Sequence, residues 1–401
     1  MTKRRAYGDG GIDQRGERRF RLRYRIGKER FAKTFHGTLA DAKKELRALL
    51  RSGDTGEHVA PVKATLASWA KQWLEAGAPG RRKRKVGARA LERYDQLLRT
   101  HVLPVLGERK LQDLQSIEID KLYLNLDANK KISQCTARYV HNVLSACLSA
   151  AVRTKKLARN PMESITNVPP VGESDHGIAL DDGQLRNMVQ GFKGSPLFPI
   201  VSVAAFTGAR RNEILALRWS DLDPQKKELR IERAVEDTKA HGIRFKGPKK
   251  ESHKRTITID DDLLAVLLAE REKHLRMAAG VPDGAAVDLS LIGLAEGTLM
   301  FPNPPAPGAD ISFVTPRVPR ALTKVFAQKA RKLGFPDLRF HDLRGTHETL
   351  LLDHGVPPHV VAQRCGHDVA TLLHNYAKRT KKADTSAAAV IGSLSKAILG
   401  N

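Results

Sequence analysis

Two stretches near the C-terminal end decide how this 401-residue chain is interpreted: FHDLRGTHETLLL at Phe340–Leu352 and CGHDVATLLHNY at Cys365–Tyr376. Both place arginine and histidine beside glycines and at the ends of apolar runs, where turns are expected. The chain contains no HExxH motif, no P-loop and no GxSxG motif, and its carboxylates do not cluster as in a two-metal nuclease. The sequence therefore predicts a site of basic and aromatic side chains that uses no metal and no cofactor.

Two earlier stretches have the same character: TGARRNEILALRWSDL at Thr207–Leu222 and GPKKESHKRTITI at Gly247–Ile259. In their order and spacing, the four stretches closely resemble the catalytic domain of the tyrosine recombinases, the phage-integrase family of site-specific DNA recombinases. The residues that match the family's catalytic positions are Arg210 in the T-G-x-R turn, Lys249 after Pro248, His341 and Arg344 in the H-x-x-R box, His367 after Gly366, and Tyr376 nine residues later. Glu213 matches the acidic residue that follows the first arginine.

The resemblance implies a transesterification of DNA. Arg210 and Arg344 would bind the non-bridging oxygens of the scissile phosphate through paired guanidinium hydrogen bonds. Tyr376 would attack the phosphorus and leave a 3′-phosphotyrosyl bond and a free 5′-hydroxyl. Because the energy of the phosphodiester is retained in that bond, the reaction needs no ATP.

The other matched residues would move protons or support the arginines. A phenol with a pKa near 10 needs help to lose its proton, and His341 would accept the proton of Tyr376. Lys249 would donate a proton to the leaving 5′-oxygen, and His367 would hydrogen-bond the phosphate. Glu213 is expected to brace the site without taking part in the reaction.

Some positions depart from the family pattern. Lys250 follows Lys249 where the family commonly has threonine, so Lys250 and Lys246 remain alternative general acids. Cys365 stands where leucine is usual, a change expected to be neutral for packing, and His374 has no assigned role. Taken singly, each matched residue also fits a structural role, such as an ion pair on a helix or a packed side chain. The assignment depends on their joint order and spacing.

The N-terminal region carries a different signal, RRFRLRYRI at Arg18–Ile26. Apolar and basic residues alternate strictly there, which predicts a strand with one apolar face and one arginine face. The predicted DNA-binding residues of this face are Arg19, Arg21, Arg23 and Arg25. A second strand at Arg30–Phe35 and a helix from Thr38 to about Arg51 complete a small sheet backed by a helix. A solvated charged face is the alternative interpretation.

Between these regions, apolar residues at helical spacing predict an all-helical domain, with helices near Leu66–Leu74, Ala88–Val102, Ile117–Leu126 and Ser133–Leu157. A basic run lies between the first two helices and is a candidate for contacts with DNA phosphates: Arg81, Arg82, Lys83, Arg84 and Lys85. A solvated loop is the structural alternative.

Domain boundaries follow from composition and pattern. They give a three-stranded sheet plus helix at 1–55, an all-α domain at 63–165 and a mostly helical α+β domain at 176–401. The resemblance implies that these are an arm-type DNA-binding domain, a core-site-binding domain and the catalytic domain, respectively. Strand-like runs at Leu229–Val235 and Thr256–Ile259 and a helix at Arg211–Leu217 belong to the catalytic domain. Its tail, Ala383–Leu399, has an apolar stripe and is expected to dock on a neighbouring protomer.

Composition narrows the partners. With 69 Lys+Arg against 44 Asp+Glu, a net charge of +25 favours double-stranded DNA. Three widely spaced cysteines argue against a disulfide framework, and no apolar run is long enough to span a membrane, so we expect a cytoplasmic, nucleoid-associated protein of a bacterial host.

The resemblance and the arginine-faced sheet together predict an integrase of a phage or mobile element. The resemblance implies a homotetramer on two synapsed sites that acts through a Holliday junction, with a host DNA-bending protein and an excision factor as further candidate partners. Two alternatives remain at this point: a DNA-relaxing enzyme of the topoisomerase IB kind, and a DNA-binding regulator without catalysis.

Overall fold

The computed structural model describes residues 10–54, 59–80, 85–128, 132–172, 177–247, 254–306 and 308–379. The chain divides into two compact units, 1–174 and 175–401. The first unit contains two separate hydrophobic clusters, one in the N-terminal sheet region and one among the helices that follow. The expected basic residues Arg81, Arg82, Lys83 and Arg84, the segment Pro248–His253 that contains Lys249, and the tail Ala383–Leu399 lie outside the described residues.

The N-terminal region is a three-stranded antiparallel sheet, in the order β1 (Gly11–Gly16), β2 (Arg19–Ile26), β3 (Glu29–His36), followed by the helix α1 (Leu39–Asp54). The alternation in β2 has the predicted effect, because Phe20, Leu22 and Tyr24 are buried with residues of α1 while the intervening arginines lie on the opposite face. Gly27, in the left-handed region with φ +57°, forms the β2–β3 turn. This confirms the predicted sheet and helix.

The rest of the first unit is helical, as predicted. Its helices are α2 (Leu66–Glu75), α3 (Ala88–Leu97), α4 (Leu103–Leu106), α5 (Ser116–Ala128) and α6 (Gln134–Arg153). A π-helical turn, Leu98–Val102, joins α3 to α4, so the predicted helix extends four residues beyond its expected end. The indole of Trp69 donates to the Cys147 carbonyl oxygen at 3.0 Å and so ties α2 to α6 inside the core.

The second unit is α+β. Its helices are α7 (Asp182–Gly191), α8 (Phe198–Thr207), α9 (Arg211–Ile214), α10 (Asp261–Ala278), α11 (Pro319–Lys332), α12 (Asp342–Asp353), α13 (Pro358–Cys365) and α14 (Val369–Arg379). One sheet has the order β4 (Leu222–Asp223), β5 (Glu228–Ile231), β8 (Arg255–Thr258), and a separate hairpin pairs β6 (Ala234–Thr238) with β7 (Gly242–Lys246). All described strand pairs are antiparallel.

Two expected elements of this unit were wrong in extent. The helix at Arg211–Leu217 ends at Ile214, because the N–H groups of Ala216 and Leu217 bond to the carbonyls three residues back, of Glu213 and Ile214, and not to those four residues back. The strand at Leu229–Val235 is two strands in different sheets, β5 and β6, which separate at Arg233, whose guanidinium pairs with the buried carboxylate of Asp221 at 2.6 Å.

The core of the second unit explains how it can hold a site. Nearly every residue of α8 is buried, which is typical of a helix surrounded by protein. At its C-terminal end Gly208 takes a left-handed conformation with φ +64°. A Cβ atom there would meet His347 at 2.7 Å and the Cys365 Sγ at 3.0 Å, so the chain can turn this close to α12 and α13 only at glycine.

Candidate active site

The candidate site forms where the turn after α8 meets the turn after α13, Cys365-Gly366-His367. Arg344, in the first turn of α12, donates through Nη1 to the carbonyl oxygens of Gly208 at 2.8 Å and Cys365 at 2.7 Å. Arg210 donates through Nη2 to the Gly366 carbonyl oxygen at 2.9 Å. Both candidate arginines therefore bind consecutive carbonyls of one turn and are held next to each other.

The two guanidinium groups have different surroundings. The Arg210 side chain is 36% exposed, whereas that of Arg344 is only 6% exposed. Among the described residues, Arg344 Nη2 finds no hydrogen-bond partner although it is buried. A buried charged donor without a partner is rare in folded proteins and needs an explanation. Here it marks a position where an anion would complete the hydrogen bonding of Arg344.

Glu213, in the first turn of α9, binds Arg210. Its carboxylate accepts from the Arg210 backbone N–H at 2.8 Å and from Arg210 Nη1 at 2.9 Å. A third bond comes from Arg255 Nη2 at 2.8 Å. Burial alone would raise the pKa of Glu213, but the hydrogen bonds and charges of Arg255 and Arg210 outweigh it and lower that pKa to about 2. Glu213 is therefore ionised at any pH at which the protein works.

The charge of Arg344 acts on both candidate histidines. His341 is exposed at the N-terminus of α12 and its pKa is lowered, first by desolvation and then by the charge of Arg344. His367 is 11% exposed, and its Nε2 lies 3.5 Å from the Glu348 carboxylate. Desolvation lowers the pKa of His367 to about 4, with Arg344 and Arg210 adding to the shift and Glu348 opposing it. Both imidazoles are accordingly neutral near pH 7.

Tyr376 lies on α14 with its hydroxyl away from this cluster. Its Oη donates to the Asp353 carboxylate at 2.8 Å, and Asp353 is the last residue of α12. Arg344 is nine residues earlier in the same helix, so the two ends are about 13 Å apart along the axis. The structure thus brings together Arg210, Arg344 and His367, but not the hydroxyl of Tyr376.

The remaining predicted residues are found as follows. Lys249 and its alternative Lys250 lie outside the described residues, whereas Lys246 pairs with Glu236 across the β6–β7 hairpin at 2.9 Å. In the first unit, Arg19, Arg21 and Arg23 are exposed and Arg25 is half-buried. Lys85 is exposed, with its side-chain carbons beside Gly77.

Several residues of the site were not predicted from the sequence. Arg255, the first residue of β8, binds Glu213 and also donates to the Arg364 carbonyl oxygen at 2.8 Å. His347 accepts from Arg364 Nε at 3.2 Å, and its Nδ1 contacts the Ala205 carbonyl oxygen at 2.9 Å. After the H-x-x-R box the sequence continues Gly-Thr-His-Glu, which places Glu348 four residues after Arg344. Opposite charges at this spacing lie on the same face of a helix, and this signal could have identified Glu348.

A cleft of about 720 Å³ opens over part of the candidate site. Its lining includes Arg210, Arg255, Arg364, Gly366 and His367. Four basic side chains meet only one acidic residue in the lining, Asp368, so the cleft suits an anion. Elsewhere in the part of the chain that the structure describes, no group of three or more His, Cys, Asp or Glu side chains is arranged to hold a metal ion. None of the helices described is long and apolar enough to cross a bilayer.

The sequence matches the phage integrase family over residues 196–383 and the N-terminal SAM-like domain of phage integrases over residues 65–126. These matches define the class: the chain belongs to the phage integrase family, the tyrosine recombinases. It is a site-specific recombinase that transfers DNA strands and integrates mobile elements. The predicted family, fold class, enzyme activity and function are confirmed.

Individual relatives agree with this assignment. An integrase of Streptomyces ambofaciens is 27% identical over 414 residues, which cover 99% of each chain. In fold, the chain is similar to the Tn1549 transposon integrase in complex with a circular intermediate DNA, with a TM-score of 0.61, 17% identity and coverage of 82% of this chain and 99% of that one. It is also similar to a lambda integrase in a dimer bound to a core site, with a TM-score of 0.56, 15% identity and coverage of 95% and 98%.

Proposed function

We propose that this recombinase cuts and rejoins DNA through a covalent bond between Tyr376 and a 3′-phosphate. The observation that carries the proposal is the buried Nη2 of Arg344, which lacks a partner among the described residues at the turn where Arg210 is also held. A phosphate oxygen is an anionic acceptor that would complete the hydrogen bonding there. The two arginines would stabilise the charge that gathers on the non-bridging oxygens in the transition state.

The chemical step conserves the phosphodiester. The Tyr376 oxygen bonds to phosphorus while the bond from phosphorus to the 5′-oxygen breaks; the phenolic proton passes to a base, and the leaving oxygen gains a proton from an acid. Neutral His341 is suited to accept the first proton, and Lys249 is our candidate for the second. Attack by the 5′-hydroxyl of another strand reverses the step and completes the exchange. Tyr376 must first leave Asp353, to which it donates in this structure.

The basic surface of α11 supports a duplex lying next to the site. Thr323, in the first half of this helix, accepts from Arg211 Nη1 at 2.7 Å, and Arg211 is the neighbour of Arg210. The exposed side of the helix is a polar and basic stripe at helical spacing, made of Arg320, Lys324, Gln328 and Arg331. DNA whose phosphate sits at Arg210 would meet this stripe.

The N-terminal sheet would bind a second class of site. On its exposed face Arg19, Arg21 and Arg23 stand in a row on the central strand, with small side chains such as Ala32 and Thr34 paired beside them. Side chains of this length on a sheet can reach phosphates or base edges in a DNA groove. We assign to it the arm-type site, and to the helical region at 63–165 the core site, with catalysis at 176–401.

The assembly follows from the chemistry of exchange. Two duplexes carry four strands to be cut, so four protomers, acting in pairs through a Holliday junction, would be required. The tail Ala383–Leu399 would dock on a neighbouring protomer, and a host DNA-bending protein and an excision factor would set direction. We expect the protein to act in the cytoplasm of a bacterial host, on its nucleoid.

The test uses DNA from the region flanking this gene, where an element's own attachment site is often found. The purified protein is incubated with it in excess chelator without ATP, quenched with denaturant, and examined for a covalent adduct, with Tyr376→Phe as control. An adduct at one short locus that the Phe variant does not form supports the proposal. Adducts on all DNA would indicate a relaxing enzyme, and tight binding without any adduct would indicate a regulator; either result would overturn it.

A further inference from the structure

A buried carboxylate lies directly behind the candidate catalytic pair. Glu348, on α12, is 2% exposed. Its Oε1 lies 3.0 Å from Arg344 Nε, one turn earlier in the helix, and 3.5 Å from His367 Nε2, which belongs to the turn between α13 and α14. One carboxylate oxygen therefore faces two candidate catalytic side chains that come from different parts of the fold.

A carboxylate this deeply buried must be compensated, because leaving a charge unpaired in the protein interior costs several kcal/mol. Arg344 supplies the compensation, and the pair also fixes the arginine. Its Nη1 donates to the carbonyl oxygens of Gly208 and Cys365, and its Nε lies 3.0 Å from Glu348 Oε1 in an ion pair. The orientation of the guanidinium plane is thereby fixed through Nη1 and Nε. The remaining donor, Nη2, is available to a phosphate.

Glu348 acts on His367 in a different way. The charged groups that face this imidazole are Arg344 and Glu348 from α12, Arg210 from the turn before α9, and its neighbour Asp368. Because His367 is neutral near pH 7, only one ring nitrogen carries a proton. An anionic oxygen 3.5 Å from Nε2 favours the proton on that nitrogen, which has no hydrogen-bond partner among the described residues. Nε2–H is then the donor that His367 can offer to a phosphate oxygen, because Nδ1 carries no proton.

We propose that Glu348 is a positioning residue of the recombination site, which orients Arg344 toward the scissile phosphate and fixes the tautomer of His367. The proposal rests on the proposed function for the reaction that these residues serve. Glu348 does not itself touch DNA. Its effect on the reaction passes through the two side chains that it holds.

The first part of the test uses the free full-length protein at pH 7. Two-bond ¹H–¹⁵N correlation spectra of histidine-labelled protein report the tautomer of each imidazole, and a His367→Gln sample identifies the His367 signals. We expect the Nε2–H tautomer in the wild type and a mixture of both tautomers in Glu348→Ala. A wild-type His367 protonated on Nδ1, or a spectrum that Glu348→Ala leaves unchanged, would overturn the proposal.

The second part measures the rate of covalent adduct formation and, separately, DNA affinity. We expect adduct formation to fall about 100-fold in Glu348→Ala and about 10-fold in the isosteric Glu348→Gln, because small displacements of a catalytic group cost this much. DNA affinity should stay within about twofold, since most phosphate contacts are untouched. Glu348→Asp, which keeps the charge, should recover part of the lost rate.

The matched control is Asp221→Asn, another buried carboxylate of the second unit that pairs with an arginine, Arg233, outside the site. It should lower thermal stability without changing the adduct rate or the His367 tautomer. If Glu348→Ala does not fold, the His367 tautomer of the wild type and the adduct-formation rate of Glu348→Gln still test the proposal. An adduct-formation rate in Glu348→Gln equal to that of the wild type would refute it. If wild-type protein forms no adduct on any DNA, the proposed function fails, while the tautomer still reports on Glu348.

Discussion

Two groups of arginines in this molecule differ in what surrounds their side chains. At the candidate active site Arg344 is 6% exposed and bound to two carbonyl oxygens and a carboxylate. On the N-terminal sheet Arg23 is 60% exposed, with Asp13 as its partner at 2.8 Å. The first side chain is held in one orientation before any ligand arrives, whereas the second remains largely solvated.

The difference teaches where specificity of geometry is needed. A transition state lasts too briefly for a side chain to search for it, so its donors must be oriented in advance, and the fold provides this with buried carbonyls and carboxylates. Binding to a DNA groove tolerates adjustment, so long exposed side chains suffice. Substitutions at the candidate active site should therefore lower the reaction rate, whereas substitutions on the N-terminal sheet should lower the salt-dependent affinity for DNA.

The largest effect is expected at Arg344. Arg344→Lys replaces a planar fork with a single ammonium, which cannot bind Gly208, Cys365, Glu348 and a phosphate oxygen together. Adduct formation should fall about 1000-fold, the loss typical for removal of an oriented oxyanion donor. The measurement is the rate of single-turnover adduct formation at saturating protein. The control is Arg233→Lys, because Arg233 pairs with Asp221 outside the candidate site. A loss smaller than tenfold would contradict the idea that this arginine must be held in advance.

The exposed arginines should respond otherwise. Replacing Arg21 and Arg23 by Ala should weaken binding to the arm-type site about 100-fold, at about 1.4 kcal/mol per lost contact. The slope of log affinity against log salt should fall by about 2. Recombination between attachment sites should then be abolished, while cleavage of an isolated core site persists. Gel-shift titrations over a salt series measure the affinity for the arm-type site. If recombination and core-site cleavage were lost equally, this division of roles between the sheet and the catalytic region would be refuted.

The same contrast explains what the sequence could and could not predict. The sheet followed from the alternation around Phe20, Leu22 and Tyr24, because a strand's two faces are determined by local period alone. The site residues Arg210 and Arg344 were found through resemblance and spacing, since no local pattern brings residues 134 positions apart to one turn. Burial and partners at such a turn depend on tertiary packing.

That dependence is why Arg255, His347 and Glu348 were not predicted. Each has its meaning only through a partner distant in sequence or through burial that the pattern does not reveal; Arg255, for example, reaches Glu213 from β8. The helix at Arg211–Leu217 was also wrong in extent, since periodicity cannot show where backbone hydrogen bonds change from a four-residue to a three-residue spacing. The position of the Tyr376 hydroxyl also lies beyond any sequence pattern.

A smaller effect is expected in how the free energy of unfolding depends on pH. Burial, followed by the charge of Arg364, lowers the pKa of His347 to about 4, against about 6.5 in an unfolded chain. Between these two pKa values the unfolded chain binds a proton that the folded chain does not. The contribution of neutral His347 to the free energy of unfolding is therefore fully present above pH 6.5 and is lost as the pH falls toward 4. Between pH 7 and pH 5 the loss should be about 2 kcal/mol from this residue.

Hydrogen exchange within α8 and α12 at the two pH values measures this loss as a free energy of opening. His347→Gln removes the titrating group, so its opening free energy should change less between pH 7 and pH 5. His367, with a pKa of about 4, remains in the variant and accounts for what is left. An identical pH response in wild type and His347→Gln would show that another group dominates.

The smallest effect tests Tyr376, the proposed nucleophile, whose hydroxyl is bound at the C-terminal end of α12 and not beside the two arginines. The hydrogen bond from Tyr376 Oη to Asp353 favours this position, and Asp353→Asn weakens it by replacing a charged acceptor with a neutral one. At about 1 kcal/mol for an exposed bond, the population able to attack should rise about fivefold, and adduct formation on a half-site with it. Asp182→Asn, an exposed carboxylate on α7 that faces His354 at 3.8 Å, serves as control. An unchanged or slower rate in Asp353→Asn would mean that Asp353 does not restrain Tyr376, and that departure from this carboxylate is not what limits attack.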